Sequence, residues 1–126
     1  MVNKILTDID SEISKPGFFD FFTGLDSDDV LDKRDAASFD DLWMQSFNDV
    51  DGLALSADDK NFLDSIREKV FKLSFRASGN SDIAGRVSDD IELISKSMLA
   101  GKSDSWPIKV LWDVYKKGGA FPAERG

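Results

Sequence analysis

The chain of 126 residues is expected to form one domain over residues 1–126, long enough to bury roughly two-thirds of the surface it exposes when unfolded. It contains no cysteine and no histidine, which excludes disulfides, thiolate metal sites and any Cys/His or Ser/His/Asp catalysis, and fits a reducing cytoplasm. Its net charge of −8 is lopsided, because residues 1–64 hold sixteen Asp/Glu against five Lys/Arg whereas residues 65–126 hold eight against eleven.

At the N-terminal end Val2, Ile5, Leu6, Ile9 and Ile13 recur at spacings of three and four, which predicts an amphipathic helix over 2–13 that ends before Pro16. Acids are interleaved with these apolar residues, so the segment lacks the apolar run of a signal peptide. Nowhere does the chain approach the ~18 apolar residues of a membrane span.

The stretch KPGFFDFFTGL follows. At 100° per residue Phe21, Phe22 and Leu25 fall within about 60° of Phe18, so these four are read as core on a short helix that opens at Pro16 and closes at Gly24. Phe19 lies about 100° from Phe18 and is left as an exposed anchor. The flanks are acidic rather than basic, which disfavours a membrane foothold.

Asp26, Asp28, Asp29, Asp32 and Asp35 come next, interrupted by Lys33 and Arg34. Ser27 is expected to cap a short helix whose first carboxylates suit its positive end. Ser38, with Asp41 three residues on, predicts a second start. Phe39, Leu42, Trp43, Phe47 and Val50 then line an inner face, Asp41, Met44, Gln45 and Asn48 stay outside, and Gly52 closes the helix.

Ser56 and Asp59 predict the start of a long helix to about Ala77. Phe62, Leu63, Ile66, Val70 and Leu73 form one stripe, while Phe71 and Phe75 form a second on the opposite side, the pattern of a central helix. Lys69, Lys72 and Arg76 gather on one side of it, as a solvated face that pairs with the acidic half. After SGNS, the residues Ile83, Val87, Ile91, Ile94 and Met98 predict a helix over 82–100 ended by Gly101. A last helix from Ser105 through Lys117 carries Trp106, Trp112 and Tyr115 among apolar residues almost all round. The closing GGAFPAERG is either a frayed or a docked tail. No stretch alternates apolar and polar residues cleanly, so the fold class is an all-α bundle of five or six helices with short loops.

No constellation carries chemistry, and the chain is read as a non-enzyme. In FNDVDGLALSAD, Gly52 on the sixth position of a calcium loop would leave Phe47 on the first and Asp58 on the twelfth, a poor calcium ligand set. Helix end followed by helix start explains the same residues, and no metal or cofactor is expected. The acids occupy outward and capping positions, which suits neither a paired-carboxylate mechanism nor binding to nucleic acid. Gly79, Gly85 and Gly101 have neither the spacing nor the ending of a phosphate loop.

The acidic, aromatic-interleaved region from Phe18 to Asp59, together with the missing catalytic set, resembles the small acidic immunity proteins that bacteria co-produce with secreted toxins. The resemblance implies a tight one-to-one complex in the cytoplasm with a cognate toxin, often a basic nuclease whose active site is covered by acids, and a monomer rather than a homo-oligomer. In that reading Asp28, Asp29, Asp32, Asp40, Asp41 and Asp49 supply charge that steers a basic protein, with Met44 and Phe19 as apolar anchors. Two alternatives stand beside it: a nucleic-acid-mimicking inhibitor from a phage or mobile element using the same surface, and a structural subunit that packs through Trp106, Trp112 and Tyr115. The lopsided charge has a plainer reading too, as solubility plus pairing between the two halves.

Overall fold

The computed structural model describes residues 1–117 and 121–123. Among the described residues six α-helices and no strand are found: α1 (Lys4–Ile13), α2 (Ser27–Asp35), α3 (Ala37–Val50), α4 (Ala57–Ser78), α5 (Ser81–Leu99) and α6 (Asp113–Lys117). The segment Pro107–Trp112, wound as a π-helix, runs directly into α6. The all-α class and the helix count follow the sequence pattern.

In α1 the Asn3 side chain accepts the Ile5 N–H, and Leu6, Ile9 and Ile13 turn inward, so the spacing of three and four becomes a buried face. The KPGFFDFFTGL segment departs from expectation. Instead of a helical turn and a half it holds one 3-10 turn, Asp20–Phe22. With three residues per turn, side chains three apart eclipse, and Phe19 accordingly stacks on Phe22 with centroids 6.1 Å apart. Phe19 is therefore 6 % exposed, which corrects its reading as a surface anchor.

Two starts are also corrected. Asp26, not Ser27, caps α2 by accepting the Asp29 N–H. The start of α3 has no side-chain cap, because α2 ends and α3 begins at the same residue, Ala36, whose ψ of 138° breaks the helix; Ser38 lies inside the first turn. Ser56 does cap α4, accepting the Asp59 N–H.

Gly79 ends α4 at φ 67°, with its N–H bonded to the Phe75 carbonyl at 2.7 Å. This left-handed position favours glycine. Asn80 then accepts the N–H groups of Asp82 and Ile83, so α4 and α5 form a tight helical hairpin. The central helix is α5, not α4. Ten of its residues are buried, Ala84, Ser88, Ser95 and Ser97 among them, and these small side chains let α1, α3, α4 and the π segment all approach it. The second stripe of α4 lies outside: Phe71 is 38 % and Phe75 45 % exposed. The π segment closes the core with Leu111 and Trp112 and α6 with Tyr115, and Phe121 docks against Phe22 at 5.5 Å. The tail is thus docked at Phe121–Ala123, and its other residues lie outside the described ones.

Candidate partner-binding surface

The acidic surface is built on α2 and α3. On α2, Val30 and Arg34 point inward, which places Asp28, Asp32 and Asp35 on the opposite, outer side at spacings of three and four. On α3, Phe39 and Val50 are buried, and Trp43 stacks on Phe47 at 5.6 Å. Asp40, Asp41, Met44 and Asp49 are left exposed, with Met44 at 44 %.

Among the described residues Asp28, Asp32, Asp40, Asp41 and Asp49 have no ion-pair partner, while Asp29 meets Lys33 of its own helix at 3.3 Å. From the acidic half, two carboxylates pair with cations of the basic half: Asp10 with Lys69 at 2.6 Å and Asp35 with Arg86 at 2.8 Å. Pairing between the halves is thus real but local. Most of the surplus carboxylates face solvent, where a field of one sign attracts counter-charged partners.

The candidates do not form one compact patch. At 3.6 residues per turn, Asp40 and Met44 lie on the flank of α3 that faces α5, whereas Asp49 lies about 180° round from Asp40. Lys102 donates to the main-chain carbonyl of Asp49 at 3.5 Å. Asp40 and Met44 instead join Trp43, Arg86 and Asp89 around a small cleft of about 120 Å³ between α3 and α5. Burial pushes the Asp89 carboxyl above its ordinary pKa; Arg67 pulls against this, and Asp90 and Glu92 add to it.

Beneath this surface lies a buried polar cluster that sequence reasoning missed. Arg34, 3 % exposed, grips fully buried Asp90 with both guanidinium branches, at 2.8 and 2.6 Å. Trp43 Nε1–H and Tyr115 O–H donate to the same carboxylate at 2.8 and 2.6 Å, and Arg34 also donates to the Pro122 carbonyl at 2.9 Å. The guanidinium lies between the rings of Phe39 and Phe121, 4.5 and 4.8 Å from their centroids. Burial works against the Arg34 charge, but the adjacent carboxylate outweighs it and the pKa stands above the ordinary value. For Tyr115, burial first and then Asp90 raise the phenol well above 10.0. The cluster fastens α2, α3, α6 and the tail to α5, with Asp90 and Tyr115 fully buried and with Arg34 and Trp43 bordering the cleft above them. A signal existed: Asp90 sits three residues after Val87 and four before Ile94, on the apolar stripe itself.

Elsewhere Lys69 pairs with Asp10 as expected of a solvated basic face, and Lys72 pairs with Glu68 at 2.9 Å. Trp112 is 5 % exposed and Tyr115 fully buried, while Trp106 packs edge-on against Phe39 at 5.2 Å. Trp112 and Tyr115 thus belong to the interior and Trp106 is half-buried, so none of the three stands fully exposed for a subunit that packs through the last helix. Residues 47–58 form the end of α3, the connection 51–56 and the start of α4, and no three Asp or Glu among the described residues gather as a metal site. No helix among them is long and apolar enough to cross a membrane.

A family model described as immunity protein PIM1 matches residues 8–123, which takes in every element above except the first turn of α1. No curated protein matches the chain.

Proposed function

Because the chain belongs to the immunity protein PIM1 family, we propose that it binds and neutralises a cognate toxin in the cytoplasm, as a stoichiometric inhibitor and not as an enzyme. The toxin is a basic protein of nuclease type, and the acidic outer face of α2 and α3 covers its active site. One observation carries the choice of surface: Asp28, Asp32, Asp40 and Asp41 are exposed and unpaired among the described residues, on helices that Arg34 and Trp43 tie to Asp90 of α5.

Such carboxylates offer the lysines and arginines of a nuclease groove the negative charge that phosphates otherwise supply. At long range they raise the encounter rate by steering. At contact Met44, whose flexible thioether adapts to an uneven surface, supplies the apolar anchor in place of buried Phe19. The helices need no rearrangement to present this face, which spares the ordering cost that a flexible segment pays on binding.

The toxin is sought in the product of the gene immediately preceding that of this chain. Co-expression should restore growth to cells which that product kills, and the two chains should co-purify one to one. Association should slow as salt rises and slow again in an Asp40→Lys, Asp41→Lys variant. Killing that persists on co-expression would end the reading, and rescue with a rate indifferent to salt and to both substitutions would end the acidic-face assignment.

A further inference from the structure

The cleft between α3 and α5 is walled by Asp40, Trp43 and Met44 from one helix and by Arg86 and Asp89 from the other, with buried Arg34 and Phe39 completing it. Its volume of about 120 Å³ falls below the ~300 Å³ at which pockets for small ligands begin. It has room for one side chain. Both cations of the lining are already matched, Arg34 by fully buried Asp90 and Arg86 by Asp35 at 2.8 Å. The two anions are not. Asp40 is exposed with no ion-pair partner among the described residues, and Asp89 meets only Arg67, at 2.9 Å through Oδ1, a cation it shares with Glu92. Burial, with Asp90 and Glu92 behind it, outweighs that cation and holds the Asp89 carboxyl above its ordinary pKa, so its negative charge is under-compensated. Trp43 lines the same cleft with its indole fixed, since Nε1–H is bonded to Asp90 at 2.8 Å and the ring stacks on Phe47.

We propose that this cleft receives a single arginine of the toxin, held by Asp40 of α3 and Asp89 of α5. The assignment rests on the toxin-binding reading above and names the side chain that reading leaves open. A guanidinium carries several N–H donors in one plane and bonds carboxylates on two facing helices at once, whereas an ammonium is a compact and strongly hydrated charge. Its flat face packs on an indole, and its methylene stem lies against a thioether such as that of Met44. An anionic side chain would find no unmatched cation there. Arginine is also prominent among the few residues that dominate the energy of an interface. Asp89 comes from the basic half of the chain, so the pocket is not visible in a count of the N-terminal acids.

Stopped-flow dissociation of the complex with the toxin encoded by the preceding gene tests this. Asp40→Asn with Asp89→Asn should quicken dissociation about tenfold. Asp64→Asn with Asp104→Asn, exposed acids outside the cleft, removes the same two charges and should leave the rate within about twofold of the parent. Because Asp89→Asn also releases Arg67, Asp40→Asn is measured alone as well; it breaks no ion pair among the described residues and should still quicken dissociation about threefold. In the toxin, replacing charged residues singly by glutamine should pick out an arginine whose loss quickens dissociation from the parent chain but not from the Asp40→Asn, Asp89→Asn variant. Cleft variants that dissociate like the Asp64→Asn, Asp104→Asn control while rescue of growth persists overturn the arginine pocket and leave the toxin reading standing. A lysine or an acid picked out instead overturns it too. Failure of any complex to form ends both.

Discussion

Arg34 and Asp90, fifty-six positions apart in sequence, meet as a two-pronged ion pair with 3 % and 0 % of their side chains exposed. Asp90 accepts two further hydrogen bonds, from Trp43 and Tyr115, so α2, α3, α5 and α6 all converge on one carboxylate.

Removing one partner of such a pair strands the other charge without water. Asp90→Ala should therefore cost about 3–5 kcal/mol of stability, and Arg34→Met a comparable amount, read as the free energy of urea unfolding at neutral pH. The double variant should lose less than the two single losses combined, because neither charge is then left alone. A loss under ~1 kcal/mol for Asp90→Ala would show that the cluster is solvated after all.

Tyr115 is the only tyrosine in the chain, which makes its ionisation visible in the ultraviolet without labels. Its folded pKa is raised, chiefly by burial. The stability it contributes is therefore complete below the ordinary phenol value near 10 and is lost as pH climbs through the folded value. Tyrosinate absorbance should appear together with loss of helical signal, not before it. Tyr115→Phe should cost about 1–3 kcal/mol at pH 7 and should flatten the alkaline decline relative to the parent. Gradual tyrosinate formation near pH 10 in the fully folded chain would contradict the burial.

Much of this architecture is legible in the residues. Spacings of three and four among Leu6, Ile9 and Ile13, or Ile83, Val87, Ile91 and Ile94, report which side of a helix meets the core, and the Ser56 cap reports a boundary. Phe19 shows where periodicity fails: a segment too short for α-helix takes a 3-10 turn, and the angular arithmetic changes with it. Asp90 and Arg34 show another limit. A charged residue on an apolar stripe looks like an interruption until its partner is known, and that partner lies far away in sequence. Phe71 and Phe75 fail for a third reason, since a helix reads as central from its own apolar content, whereas burial depends on which neighbours are present. The outward acids of α2 and α3 are legible because helical spacing opposite a buried face is local information.

The contrast between Phe19 and Phe71 is open to direct measurement. Phe19 is packed edge-on against Phe18 at 4.9 Å and stacked on Phe22, so Phe19→Ala should lower stability by about 3–5 kcal/mol. Phe71→Ala, made on an exposed ring, should change it by under about 0.5 kcal/mol. Equal losses in thermal or urea unfolding would contradict their different burial.

Ser95 carries a fully buried hydroxyl with no hydrogen-bond partner among the described residues. An unmet buried hydroxyl costs roughly 1–3 kcal/mol, and alanine is also the better helix former. Ser95→Ala should therefore raise stability by about 1 kcal/mol, seen as a higher midpoint of urea unfolding at unchanged slope. A lower midpoint would mean that the hydroxyl is satisfied.

The acids of α3 divide into two flanks, and this separates steering from contact. A long-range field depends on total charge, so Asp40→Lys and Asp49→Lys should each slow association with the cognate toxin, by a similar factor that shrinks as salt screens it. Contact is short-ranged. If the toxin covers the cleft flank, Asp40→Lys and Met44→Ala should also speed dissociation, while Asp49→Lys should leave the dissociation rate within about twofold of the parent. Stopped-flow association and dissociation rates at two salt concentrations resolve the two effects. A faster dissociation for Asp49→Lys alone would move the interface to the opposite side of α3, away from the cleft bordered by Asp40 and Met44.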